Sequence, residues 1–393
     1  MQYKLEDICE FIRNGASIKQ NDNIIGYPIT RIETIANSYI DLNRMGYAGI
    51  IELGKYEEYL LNDGDILMSH INSEKHLGKT AIYEKCNEKI IHGMNLLCLR
   101  PKKNIVEPKY LNYYFNNLVF RRQLPKITKK SVNQASFAVT DLKNIKVILP
   151  TKDTQLKVVK ILDKAQELID KRKEQIKTLD ELVKSKFIEM FGDIKNNPIG
   201  WEKIKIGDVF EIKTGATPSR KENKYWDNGT IPWIKTTELK EIVINNSEEY
   251  ITEEGFNKSS VNLLPKNTLL IAMYGQGKTR GMTGKLGIEA TTNQACAAIL
   301  PNPKENMDFI WYQLKLSYED LRDLGRGGSQ PNLNTNLIKS YQLIFPPMEL
   351  QNKFVQFTKQ VDKLKFEMEK SLKELEDNFN SLMQKAFKSE LFN

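Results

Sequence analysis

The chain is poor in the residues that most often carry chemistry. Among 393 residues it has three histidines, His70, His76 and His92, and four cysteines, Cys9, Cys86, Cys98 and Cys296. No two cysteines form a C-x-x-C pair, and no histidine stands beside them at ligand spacing. A zinc site or a disulfide framework is therefore not expected. With so few histidines, no Ser/His/Asp or Cys/His arrangement can be argued. No apolar run approaches the roughly 20 residues that cross a bilayer. The opening MQYKLEDICEFIRNG lacks the basic stretch and apolar stretch of a signal peptide. A cytoplasmic location, with no membrane contact, is the expectation.

Other motifs fail on inspection. GQGKT at 275–279 suggests a phosphate loop, but the glycine required five residues before Gly277 is Ala272. GKT at 78–80 fails likewise, with Ser73 in that place. Without that first turn the backbone N–H groups do not cradle phosphates in the usual way. No G-x-G-x-x-G follows a strand, so a dinucleotide site is unsupported. The Pro-Pro pair Phe345-Pro346-Pro347-Met348 lacks the flanking residues of an amino-methyltransferase motif, and no Pro-Asp dipeptide begins a nuclease metal site. The sequence predicts a non-catalytic chain, with no catalytic or metal residues and no cofactor of its own.

What is present is charge and repetition. Lys and Arg number 58 against 50 acids, a net charge of +8, which permits a polyanionic partner without demanding one. QASFAVTDLKNIKVILP at 134–150 is matched by QPNLNTNLIKSYQLIFP at 330–346, a shift of 196 that holds without a gap from Gln134/Gln330 to Pro150/Pro346. Earlier segments also correspond: LEDICEFIRNGAS (5–17) with IGDVFEIKTGAT (206–217), and LLNDGDILMS (60–69) with LLPKNTLLIA (263–272). The chain is a tandem duplication.

Each half begins with a mixed α and β segment. Short apolar runs at Asp65–Met68, Asn95–Leu99, Ile145–Leu149, Thr268–Ala272, Cys296–Leu300 and Tyr341–Phe345 read as buried strands. Tyr110–Phe120 and Met307–Leu316 read as helices. Each half ends in a stretch free of Gly and Pro. Leu162, Ile169, Ile176, Val183 and Met190 repeat every seven residues, as do Phe354, Val361, Met368, Leu375 and Leu382. That spacing predicts coiled-coil helices, each spanning roughly 60 Å. The expected organisation is a first domain at 1–150, a long helix at 151–192, a second domain at 193–347 and a long helix at 348–393. The fold class is α+β, with the two helices pairing antiparallel and offering a further face to a partner. Ile169, Ile176, Val183, Met368, Leu375, Phe379 and Leu382 are the candidate partner-binding residues.

Several blocks resemble the specificity subunits of type I restriction-modification systems. The second half carries them most fully: W-x-x-x-x-I-G-D-V-F-E-I-x-x-G-A-T-P-S at 201–219, Tyr225-Trp226, G-x-I-P-W at 229–233, TGKLGI…ATTNQACAAILP at 283–301 and GGSQPNLNTNLIKSYQLIFPPMELQNKFV at 327–355. The first half is looser, with Gly93-Met94-Asn95 where Asn293-Gln294-Ala295 stand. The resemblance spans the whole chain. It implies two target recognition domains, each reading half of a bipartite double-stranded DNA site, on helices that act as spacers. It implies two methyltransferase (modification) subunits bound to the helices and, in systems that also cleave, two restriction subunits. S-adenosylmethionine, ATP and Mg2+ would belong to those partners. A coiled-coil DNA-binding adaptor in a methyltransferase-only or other defence complex is the alternative.

Base contacts call for Arg, Lys, Asn, Gln, Ser or Thr on exposed loops, and phosphate contacts for Lys, Arg and backbone N–H groups. Three clusters occur in both halves. The first is Arg31, against Lys235 and Thr236. The second is Ser69, His70, Asn72 and Lys75, against Tyr274, Gln276, Lys278, Thr279 and Arg280. The third is Lys129 and Lys130, against Arg326 and Ser329. Trp226 and Trp233 read as core or loop anchors.

Overall fold

Residues that alternate strictly in a strand face opposite sides, and here both sides are buried. In the computed structural model, Ile66–Ser69 and Leu96–Pro101 pair antiparallel with Leu67 opposite Cys98 and Ile66 opposite Leu99. Ile66, Met68, Leu97 and Leu99 enter one apolar core, and Leu67, Leu96 and Cys98 enter another. This two-sided burial is why the runs ILMS and LLCL are apolar throughout. The structure describes all residues except 20–24, 85–87, 133, 276, 326–331, 389–390 and 392–393.

The chain divides into two units, Met1–Lys173 with Lys370–Asn393, and Glu174–Glu369. In the first, a four-stranded antiparallel sheet has the order Cys9–Asn14, Leu96–Pro101, Ile66–Ser69, Thr80–Ile82. Gln2–Lys4 pairs with Lys146–Ile148 and brings the start of the domain to its end. A small three-stranded sheet joins Ile71–Asn72, Ala135–Ser136 and Lys129–Lys130.

The second unit repeats the plan. Its sheet has the order Ile212–Thr214, Cys296–Ile299, Leu269–Ala272, Thr283–Leu286, Val243–Ile244. Leu269, Ile271, Ala297 and Ile299 face one core and Leu270, Ala272, Cys296 and Ala298 another. Lys203–Lys205 pairs with Gln342–Ile344, as Gln2–Lys4 pairs with Lys146–Ile148.

The expected helix at Tyr110–Phe120 is instead two, Pro108–Asn116 and Leu118–Arg121. Asn117 is extended, its side chain accepts from the Val119 N–H, and its Nδ2 donates to the Met383 carbonyl at 3.0 Å. An Asn that caps one helix start while bonding another helix cannot also continue the preceding one. Met307–Leu316 is found as expected, followed by Tyr318–Leu324.

The two Gly- and Pro-free stretches form helices of 40 residues each, Lys152–Phe191 and Met348–Phe387. In the first unit Val158, Val159 and Leu162 of one helix and Met383 and Ala386 of the other enter the same core. Lys173 meets Glu376 at 2.9 Å. In the second unit the rings of Phe187, Phe191, Phe309 and Phe354 cluster, with Phe187 5.3 Å from Phe354. Lys365 donates to both oxygens of Asp180. No helix among the described residues is long and apolar enough to cross a membrane.

Candidate nucleic-acid interface

The strand Ile66–Ser69 leads directly into the second cluster of the first half. Asn72 is opposite Ala135, and Ala135 opposite Lys130, so Asn72, Lys129 and Lys130 lie on one small sheet. Two clusters separated by more than fifty residues of sequence thus become neighbours. Lys75, Lys129 and Lys130 are exposed, and Lys130 is paired with Glu74 at 2.7 Å. Ser131 and Gln134 exchange backbone hydrogen bonds beyond Lys130, a hairpin turn that leaves Val132 almost wholly exposed.

Two expected contacts do not fit. Ser69 is 1% exposed and His70 5%. Ser69 is the last strand residue, and its Oγ accepts from Asn72 Nδ2 at 3.2 Å. His70 stands edge-on to Phe137, and burial pushes its imidazole pKa down. These two shape the base of the loop rather than its surface. Arg31 caps the 3-10 turn Ile32–Ile35, its N–H donating to Thr34 Oγ1. It lies in a different part of the first unit's chain from the small sheet.

In the second unit, the strand Leu269–Ala272 leads into the corresponding loop. Tyr274 and Lys278 are exposed, and Thr279 and Arg280 half-buried. Gln276, Arg326 and Ser329 lie outside the described residues. A cleft of about 620 Å³ beside this loop is lined by Lys240, Glu241, Lys278, Met282, Tyr318, Glu319 and Arg322. Lys235 is engaged by Glu248 at 3.0 Å and Glu249 at 2.9 Å. Hydrogen bonds from the Lys235 ammonium to Glu249 and then Glu248 raise its pKa. Thr236 opens the adjoining 3-10 turn. The Arg220 guanidinium lies 3.6 Å from the Trp226 ring centroid and 4.8 Å from that of Trp233. Trp226 and Trp233 donate their indole N–H groups to the Ser219 and Ala216 carbonyls. Both tryptophans anchor loops, as their sequence context predicts.

Sequence reasoning placed Arg322 at the edge of the third cluster but missed Arg121 and the bonds that both make to the loops. Arg121 Nη1 donates to the Leu77 carbonyl at 3.0 Å in the first unit. In the second, Arg322 Nη1 donates to the Gly277 carbonyl at 2.9 Å. Each arginine sits in a short helix after the aromatic one and reaches back to the loop following the central strand. A basic residue next to a helix end is the only sequence signal, because the acceptors are main-chain carbonyls.

The seam of the long helices is also placed differently from expectation. Ile169 and Val183 are buried within the chain, and Phe379, Leu382 and Met368 pack partly buried against its own cores. Ile176 and Leu375 are half-buried. An apolar stripe repeated every seven residues says that a surface is buried, not by what. The exposed large apolar side chains of the helices are instead Leu156, Leu168, Leu182, Ile188, Met348, Leu364 and Phe366. Among the described residues no group of three or more His, Cys, Asp and Glu is arranged to hold a metal ion.

The duplicated architecture has counterparts. The model of the type I restriction modification DNA specificity domain matches twice, at residues 1–179 and 198–377. The putative type I restriction enzyme MjaX specificity subunit of Methanocaldococcus jannaschii is 34% identical over 382 residues, covering 92% of this chain and 86% of that protein. The EcoKI specificity subunit of Escherichia coli is 25% identical over 173 residues, covering 44% of this chain and 37% of that one. Among solved structures, a chain described under complex assembly and conformational transition of the type I R-M system superposes with a TM-score of 0.62 at 16% identity, covering 100% of this chain and 98% of that one. The type I restriction-modification S subunit from M. genitalium gives 0.56 at 13% identity, over 98% and 96% of the two chains. These last two likenesses speak for the fold. Specificity subunits are the non-catalytic, DNA-recognising components of type I systems. With two copies of the family's domain and a relative alike over nearly its whole length, this chain belongs to the type I restriction-modification specificity-subunit family.

Proposed function

We propose that the chain reads a bipartite double-stranded DNA site, one half through each recognition domain. The observation that carries this is the repeated loop: in each unit a central sheet strand runs into a segment bearing an exposed cation, Lys75 in one and Lys278 in the other, and in the first unit the small sheet adds the exposed Lys129 and Lys130 beside it. Lys and Arg at such positions neutralise phosphates, and Asn72, Tyr274, Gln276 and Thr279 supply groups for base edges. The divergence of Gly93-Met94-Asn95 from Asn293-Gln294-Ala295 suits two domains that read different bases.

The two long helices act as an antiparallel pair. Support comes from within the second unit, where Asp180 meets Lys365 and Phe187 meets Phe354: as one number rises the other falls. A pair of this kind is the spacer between half-sites and the seat of two methyltransferase subunits, with restriction subunits added in systems that cleave. S-adenosylmethionine, ATP and Mg2+ are carried by those partners, in the cytoplasm. The exposed Leu168 and Leu182, fourteen residues apart on one helix, suit the partner surface better than the seam residues do.

The experiment is to co-express the chain with its methyltransferase and sequence the host methylome. Lys278→Ala should weaken binding to all sequences alike and lower the salt slope by about one. Thr279→Ala should relax preference at one position of the second half-site. If both variants leave affinity, motif and salt dependence as in the parent, this loop does not face DNA.

A further inference from the structure

Three candidates stand outside the residues assigned so far: the exposed Val132 at its hairpin turn, the polar groove around Lys109 and Asp163, and the arginines that reach the reading loops. The last is repeated independently in both units and is carried furthest by its geometry.

In the second unit, the helix Tyr318–Leu324 follows the aromatic helix and lies against the loop after strand Leu269–Ala272. Arg322 Nη1 is 2.9 Å from the Gly277 carbonyl oxygen, 3.3 Å from that of Arg280 and 2.7 Å from the Tyr318 hydroxyl. The Tyr318 hydroxyl donates in turn to the Lys278 carbonyl at 2.6 Å. Three carbonyls of the loop are thus held by two side chains of one helix. A trans peptide points its N–H opposite its C=O. Anchoring the Gly277 and Lys278 carbonyls therefore turns the N–H groups of Lys278 and Thr279 away from the helix. The contact is tight: a Cβ on Gly281, which has φ +85°, would stand 2.9 Å from Arg322 Cγ. The glycine is needed both for that backbone conformation and for the approach of the arginine stem.

The first unit has the same device with fewer bonds. Arg121 Nη1 donates to the Leu77 carbonyl, and Nη2 lies 3.4 Å from Asn116 Oδ1. Gly78, at φ +70°, is again the glycine packed beneath it, with Leu124 and Arg121 as neighbours. Gly78 and Gly281 are separated by the same shift of 203 as the strands Ile66–Ser69 and Leu269–Ala272.

We propose that Arg322, with Tyr318, and Arg121 are positioning residues for DNA recognition: each latches the reading loop of its own domain, and so sets base discrimination in its own half of the target without touching the bases. The inference rests on the loops being the readers, as argued above. A held loop presents its donors in one arrangement, and discrimination between bases depends on geometry as well as on contact. A released loop samples others and accepts more sequences.

The test uses the full chain assembled with its methyltransferase, with host genomic DNA as substrate and methylome sequencing as readout. Arg322→Ala and Tyr318→Phe should each relax the second half of the methylated motif, lowering discrimination at its bases by about tenfold. The first half and the yield of complex should stay as in the parent. Arg121→Ala should do the converse. Tyr318→Phe removes one hydroxyl from a half-buried side chain and keeps the ring, so it stays informative even if Arg322→Ala misfolds. Lys278→Ala and Thr279→Ala separate this inference from the reading beneath it. If they alter salt slope or motif while Arg322→Ala and Tyr318→Phe leave every base preference intact, the latch is wrong and the reading stands. If none of the four changes either quantity, the reading itself fails. Equal loss of discrimination in both halves from any one variant also overturns the latch.

Discussion

Phe354→Ala is the sharpest test of how the second unit holds its helices. Phe354 is fully buried. Its ring centroid lies 5.3 Å from Phe187, 5.7 Å from Phe191, 6.1 Å from Phe309 and 5.0 Å from Tyr312. Removing a buried phenylalanine costs about 3–5 kcal/mol, transfer and cavity terms together. Edge-to-face ring pairs contribute about 0.5–1.5 kcal/mol each beyond area, which puts this site toward the upper end. For a unit of roughly 200 residues, each kcal/mol moves the midpoint by about 2–4 °C, so Tm should fall by roughly 6–20 °C. Calorimetry of the purified chain reads this directly. The control is on the same helix: Phe366 is 64% exposed, and Phe366→Ala should change stability by no more than about 0.5 kcal/mol. A loss below about 1 kcal/mol for Phe354→Ala, or equal losses for both, would refute the packing argument.

Two further outcomes are expected. Burial lowers the His92 pKa from 6.5 to about 4, so the unfolded chain binds the proton more readily than the folded one. The stability from neutral His92 is present above pH 6.5 and is lost as pH falls toward 4, by up to about 3 kcal/mol. His92→Gln should flatten the denaturation profile across that window, and an unchanged slope would count against the burial. Leu168→Glu with Leu182→Glu leaves buried cores untouched, so the fold should persist. If these residues meet the methyltransferase, losing apolar anchors of about 2 kcal/mol should weaken co-purification by roughly thirtyfold, and undiminished complex would exclude that surface.

Much of the fold was legible because its signals are local. Strands buried on both faces write continuous apolar runs, as at Ile66–Ser69 and Leu269–Ala272. The absence of Gly and Pro left the two long helices uninterrupted. The break at Asn117 was not legible, because it depends on a carbonyl of Met383, far away in sequence. The candidate interface was half-legible for the same reason. Cationic loops can be found from charge and from their place after a strand. Ser69 is buried within the sheet opposite Leu96 and His70 lies against Phe137, both distant in sequence, and the Arg322 bonds end on main-chain carbonyls that no side-chain pattern records. The seven-residue stripe announced buried helix faces, but the chain's own cores occupy much of them.

The central claim is that each domain reads its own half-site. The direct measurement is to exchange residues 201–346 for the corresponding segment of a relative and sequence the resulting methylome. The account predicts a new sequence in one half of the methylated motif, with the other half and the spacing between them unchanged. A motif altered in both halves, or one that stays the same although the hybrid complex still methylates, would contradict it.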